Sequence, residues 1–132
     1  MADAKILDEL LYTSQHEWVR VEGGSVTMGI TDFAQHSLGD IMFVELPAMG
    51  REFARGASLG VIESVKAAED YYSPVSGKVT STNGGIQGNP AVVNQDCYGA
   101  GWFVKMDLTG DIKSFNLLSA SDYRKLVEGL AH

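Results

Sequence analysis

Glycine interrupts this 132-residue chain fifteen times, and the stretches between glycines leave little room for long helices. Several of them alternate apolar and polar residues and favour Val, Ile, Tyr, Trp and Thr, which suits short strands joined by tight turns. "HEWVRVEGGSVTMGI" is the clearest case: Trp18 is followed by Val26, Met28 and Ile30 in alternation, with Gly23-Gly24 as a hairpin turn. "IMFVELP" is a β-forming run that stops at Pro47, and "ASLGVIESV" alternates Leu59, Val61 and Val65 along one side. "AEDYYSPVSGKVTST" carries Tyr71 and Tyr72, turns at Ser73-Pro74 and Ser76-Gly77, and continues through Val79. "WFVKMDL" reads as the last strand.

Helical signals are fewer. "TDFAQHSLGD" offers Thr31 or Asp32 as an N-cap, Phe33, Ala34 and Leu38 at helical spacing, and Gly39 as a stop, which predicts one or two turns. "NGGIQGNPAVVNQDCYGAG" reads mostly as loop, with Pro90 able to open a short helix through Val92 and Val93. "SASDYRKLVEGL" places Tyr123, Leu126, Val127 and Leu130 on one face and predicts a C-terminal amphipathic helix over about 121–130. The fold class is therefore all-β with minor helices. An internal echo, Gly-x-Val-Thr in "GSVT" and again in "GKVT", would set two similar β units on either side of a hairpin tipped by Lys66.

At this length, with 45% hydrophobic residues, one ordinary domain over 1–132 can bury its own core. A formal net charge of −7 repels phosphate backbones and anionic membrane surfaces, so neither nucleic acid nor membrane is an expected partner. The single cysteine, Cys97, cannot form an internal disulfide or a thiolate metal cluster, which suits a reducing compartment. "MADAKILDELL" carries acids and lacks both an apolar signal core and an Arg-rich transit pattern, so no targeting segment is expected. No run of 18 apolar residues spans a membrane.

Lys66 has no evident structural task. Most lysines are simply solvated charges, and a Schiff-base lysine needs desolvation or neighbouring cations, whereas Lys66 is flanked by Glu63, Glu69 and Asp70 with small residues beside it. That setting argues against a nucleophile and leaves the amine accessible, as it must be if a second protein is to bind the hairpin and acylate it. His16 and His36 lack companion ligands for a metal. The carboxylates have no nucleophile beside them, and Glu69 reads as a solvated acid. The glycine clusters do not match a phosphate-binding loop.

"ESVKAAEDYYSPVSGKV" closely resembles the lipoylation segment of the glycine cleavage system H-protein family, and "HEWVRVEG", "VTMGITDFAQHSLGDIMFVELP" and "VNQDCYGAGWFVK" resemble that family's other blocks in the same order. The resemblance implies a lipoyl-domain-like flattened β barrel or sandwich of two small sheets. It implies lipoate on Lys66, which replaces a cation by an uncharged amide on a long arm. It also implies a non-catalytic, monomeric carrier visited by three enzymes. A pyridoxal-phosphate glycine decarboxylase loads the aminomethyl group, an aminomethyltransferase removes its carbon, and dihydrolipoamide dehydrogenase reoxidises the arm. A lipoate-attaching enzyme is expected to read Glu63, which alternation sets on the side of Val61 and Val65. Glu17 and Asp70 are implied to line the cleft that docks the arm. The compartment would be a bacterial cytoplasm or a mitochondrial matrix.

Cys97 departs from the proline common at that position and lies away from the lysine hairpin. A biotinyl carrier would place methionine beside the lysine, where Val65 and Ala67 stand here. The lipoyl domain of a 2-oxoacid dehydrogenase fits the "HEW" and "GWFVK" blocks poorly. Lipoate relay to other complexes is an alternative role for the same carrier, and an independent enzyme would have to turn over glycine or another substrate without lipoate or partners.

Overall fold

A computed structural model describes residues 4–130. In chain order the elements are β1 (Leu11–Tyr12), β2 (Glu17–Glu22), β3 (Ser25–Ile30), α1 (Asp32–Leu38), β4 (Ile41–Val44), β5 (Glu52–Phe53), β6 (Ser58–Ser64), β7 (Ala68–Tyr72) and β8 (Gly77–Thr82). The short helices α2 (Gly85–Gly88) and α3 (Ala91–Gln95) follow, then β9 (Val104–Leu108), a 3-10 turn at Ile112–Phe115 and α4 (Ala120–Leu130). Six strands form one antiparallel sheet in the order β1-β2-β3-β9-β8-β5, and β4-β6-β7 form a second. The two sheets do not close into a barrel, so the expected barrel-sandwich hybrid takes its sandwich form.

The sheets enclose one core. Val19 and Met28 of the large sheet, Val44, Ile62 and Tyr71 of the small one, and Phe103 belong to the same buried cluster, and Tyr71 meets Phe103 edge-on at 5.0 Å. A second cluster covers the other face of the large sheet, where α4 lays Tyr123 and Val127 over Leu10, Tyr12 and Trp18. Tyr12 and Tyr123 stack at 4.5 Å. Strand β2 serves both clusters because alternation sends Val19 one way and Trp18 the other.

Local chemistry sets the boundaries of α1. The Thr31 hydroxyl accepts a hydrogen bond from the Ala34 N–H at 3.2 Å, and Gly39 closes the helix at φ 76. The β2–β3 hairpin turns at Gly23-Gly24, with Glu22 opposite Ser25. Three features differ from the sequence reading. The glycine-rich segment holds two short helices, and the edge strands β1 and β5 are only two residues long. In β6 the expected series Leu59, Val61 and Val65 is broken: Leu59 and Ile62 are in the core, whereas Val65 is exposed. The cause is a register shift, since Ser58 pairs with Tyr72 and Gly60 with Tyr71, leaving Leu59 as the extra residue. The echoed segments do flank a common strand, with Val26 and Val79 both opposite Met106 of β9.

Candidate functional site

Lys66 stands at the tip of the β6–β7 hairpin, in a turn fixed by its neighbours. The Ser64 N–H donates to the Ala67 carbonyl at 2.8 Å, and the Ser64 hydroxyl oxygen accepts from the N–H groups of Lys66 and Ala67, each at 3.2 Å. A third tether comes from outside the hairpin, where the Val65 N–H donates to the Asp40 carbonyl at 3.1 Å. The Lys66 side chain is exposed and leans across the end of α1, with Nζ 3.5 Å from the Ser37 carbonyl. Gly39 leaves room for it: a methyl added there would lie 3.3 Å from Val65 Cγ2 and 3.5 Å from Lys66 Cε. The turn is thus held by backbone and side-chain hydrogen bonds, while the Lys66 side chain itself is exposed.

Two recesses follow from that point. The first, about 150 Å³, is lined by Lys66, Ala67 and Glu69 together with His16, Phe33 and Leu38. The second, about 200 Å³, is lined by Thr13, Glu17, Arg55, Tyr72 and Pro74. Gln15 lines both, so they meet at that residue. Residues of β7 contribute to each, and the distance from Ala68 to Tyr72 is four strand steps, roughly 13 Å. A groove therefore leads from the lysine toward Glu17.

Glu17 is buried, which favours its neutral form and raises its pKa. Hydrogen bonds from the Thr13 hydroxyl at 2.6 Å and from the Tyr72 N–H at 3.1 Å oppose that shift, as does the positive charge of Arg55. Its carboxylate thus ties the start of β2 to β7 of the other sheet. His16 occupies the left-handed region at φ 71, and its Nδ1 lies 2.8 Å from the Tyr123 hydroxyl, which also lies 2.7 Å from the Thr31 hydroxyl. The His16 ring packs on Phe33 at 4.7 Å, and burial pushes its pKa down.

The remaining acids divide between the two faces of the hairpin. Glu63 pairs with Ala68 and Asp70 with Val61, all on the face turned to solvent, and Asp70 accepts a hydrogen bond from the Ser58 hydroxyl at 3.0 Å. Asp70 lines neither recess. Glu69, read from the sequence as a solvated acid, is the one beside Lys66 in the first recess, because it pairs with core-facing Ile62. Alternation in β7 assigns the two neighbouring acids to opposite faces, and only the pairing with β6 tells which is which. Gln15 and Phe33 carry no sequence signal of their own for this role, as each reaches the groove from a distant segment. Ser64 did leave a signal, since Ser commonly organises a turn through its hydroxyl. Glu63 shares its side with Val61, as alternation implies, and that side faces outward because Leu59 is the extra residue. Cys97 is buried, its thiol pushed up to about 12 chiefly by desolvation. Among the described residues, no three His, Cys, Asp or Glu side chains gather as a metal site, and no helix is long and apolar enough to cross a membrane.

The model of the glycine cleavage H-protein family matches residues 10–129. The chain belongs to that family. Its similarity to individual members runs nearly end to end. It is 51% identical to the glycine cleavage system H protein of Carboxydothermus hydrogenoformans, over 91% of this chain and 92% of that one. It is 47% identical to the H protein of Parvibaculum lavamentivorans, over 94% and 99% of the two chains. The crystal structure of the H protein from Mycobacterium marinum superposes with a TM-score of 0.84 at 36% identity, covering 93% of this chain and 99% of that one. Family membership places the chain in glycine cleavage as a lipoyl carrier, ahead of a biotinyl carrier or the lipoyl domain of another complex.

Proposed function

We propose that Lys66 carries lipoate in amide linkage to its Nζ and that the chain, a single carrier domain over 1–132, is itself non-catalytic. The observation that carries this reading is an exposed lysine on a hydrogen-bonded turn at the mouth of a groove. Lys66 would hold the group through its Nζ, and the attached dithiolane would supply the sulfur chemistry that carries an aminomethyl group. The protein supplies position and shelter. Ser64 and Asp40 hold the turn, Gly39 clears the side chain's path, and the groove offers Phe33 and Leu38 for apolar contact, with Glu69 and Glu17 as carboxyl partners for an amine.

Glycine decarboxylase, aminomethyltransferase and dihydrolipoamide dehydrogenase are the enzymes a monomeric carrier of this kind visits. The lipoate-attaching enzyme reads Glu63 on the solvent face. The bacterial relatives favour a bacterial cytoplasm over a mitochondrial matrix. Asp70, on the solvent face, is assigned no docking role. The test is intact-mass and peptide mass spectrometry of protein made in a host supplied with lipoate. One lipoyl group on Lys66 is expected; a lipoyl group on Lys78, or none in a competent host, overturns the proposal.

A further inference from the structure

Three exposed apolar side chains stand beside Lys66. Val65 precedes it and is 59% exposed, while Met42 and Phe43 on the neighbouring strand are 62% and 41% exposed. The sheet brings them together: Ile41 pairs with Ser64 and Phe43 with Glu63, with a register shift at Met42, and the Val65 N–H is bonded to Asp40. Phe43 therefore shares the solvent face with Glu63. Isolated exposed apolar residues need no explanation, but a contiguous group rimmed by polar ones marks an interaction site. Here the rim is acidic. Asp40, Glu45, Glu63 and Asp70 are all exposed, the described residues place none of them in a salt bridge, and Lys66 is the only cation between Ser58 and Tyr72.

We propose that the Met42–Phe43–Val65 patch is the docking anchor for the enzyme that acylates Lys66, and that this enzyme meets it with an apolar recess edged by Lys and Arg. The inference rests on the assignment of lipoate to Lys66. Reach selects the occupant. In the attachment step the free amine of Lys66 attacks the carbonyl of a lipoyl adenylate, the C–O bond to AMP breaks, and a proton passes from nitrogen to solvent. The amine then has only the lysine side chain to extend it, so the enzyme's active-site rim must rest on the residues next to the turn. An enzyme that meets the finished arm can stand further away. An apolar centre within a polar rim is the anatomy of a protein interface, and the acids supply the attraction for a basic partner.

The experiment uses the full chain with a purified bacterial lipoate–protein ligase, lipoate and ATP. It compares Phe43→Ser and Val65→Ser with a control, Met49→Ser, which is 67% exposed outside the patch. Ligase binding to the unmodified chain is read by surface plasmon resonance, and attachment by KM and kcat. Both patch variants are expected to raise Kd and KM about tenfold with kcat nearly unchanged, as loss of an interface hot spot does, while the control stays at wild-type values. Added salt is expected to weaken wild-type binding. Circular dichroism and melting identify any variant that misfolds, and the other variant then decides. Wild-type Kd and KM in the folded patch variants would overturn the proposal, as would an effect confined to self-association in sedimentation. If wild type itself gains no lipoyl group at Lys66, the failure lies with the assignment of the cofactor.

Discussion

His16 and Glu17 are neighbours in sequence with opposite burial effects. His16 holds a left-handed backbone at φ 71, which a non-glycine residue adopts at a cost, and it stands in the groove that begins at Lys66. Burial lowers its pKa from 6.5, so the unfolded chain binds a proton more readily than the folded one. The stability tied to neutral His16 is complete above pH 6.5 and is lost as pH falls through the folded value. Glu17 has the reverse sign: its pKa is raised above 4.5, so its contribution is complete below 4.5 and is lost as pH rises through the folded value. The melting temperature of wild type is therefore expected to fall between neutrality and about pH 5 by more than that of His16→Asn, asparagine being tolerant of the left-handed backbone. Parallel pH profiles for the two proteins would show that His16 does not couple to folding.

Elements are legible in the sequence where local chemistry defines them, and obscure where a partner strand does. Thr31 and Gly39 bound α1 through their own hydroxyl and backbone freedom, and Gly23-Gly24 makes a turn from two residues alone. The hairpin tip at Lys66 is equally readable. The extra residue Leu59 is not, because its displacement follows from how β6 pairs with β7, and the outward facing of Val61 and Glu63 and the choice between Glu69 and Asp70 both depend on it. Strands β1 and β5, with two residues each, carry no periodicity to read. The same hairpin supplies a test of how tightly the small sheet is built. A methyl on Gly60 would overlap the Glu45 carbonyl oxygen, while the Glu45 N–H donates to the Val61 carbonyl at 2.8 Å. Strands β4 and β6 cannot separate without losing that bond. Gly60→Ala is expected to cost about 3 kcal/mol, the upper part of the usual overpacking range, and to lower the melting temperature by roughly 10 °C. Gly84, at φ −60 with open space where a methyl would stand, serves as the neutral control on substitution to Ala. Equal melting temperatures for the two variants would mean that β4 shifts freely.

At the scale of the molecule, the groove lies where the two sheets meet: Lys66, Glu69 and Tyr72 come from the small sheet and its turn, and Glu17 from the first residue of β2 in the large one. The Glu17 carboxylate bridges them through the Tyr72 N–H, so the residue proposed to shelter a bound amine also joins the sheets. A carrier loaded with an aminomethyl group loses it when water displaces the amine, releasing ammonia and formaldehyde, and exclusion of solvent slows that loss. The amine is cationic at neutral pH, and a cation in the second recess would favour the charged form of Glu17 against the burial that opposes it. Glu69, being exposed, contributes no more than an ordinary surface pair of about 0.2–1 kcal/mol, or roughly a 1.5- to 5-fold change in rate. Loaded Glu69→Gln is therefore expected to decay within that range above wild type, Glu17→Gln faster still, and Asp70→Asn, altered only on the solvent face, at the wild-type rate. The measurement is free ammonia and formaldehyde over time without the aminomethyltransferase, on proteins whose lipoyl content has been matched by mass. Decay at the wild-type rate in both glutamate variants would mean that the groove does not shelter the load, and faster decay in Asp70→Asn alone would move the sheltering surface to the other face of the hairpin.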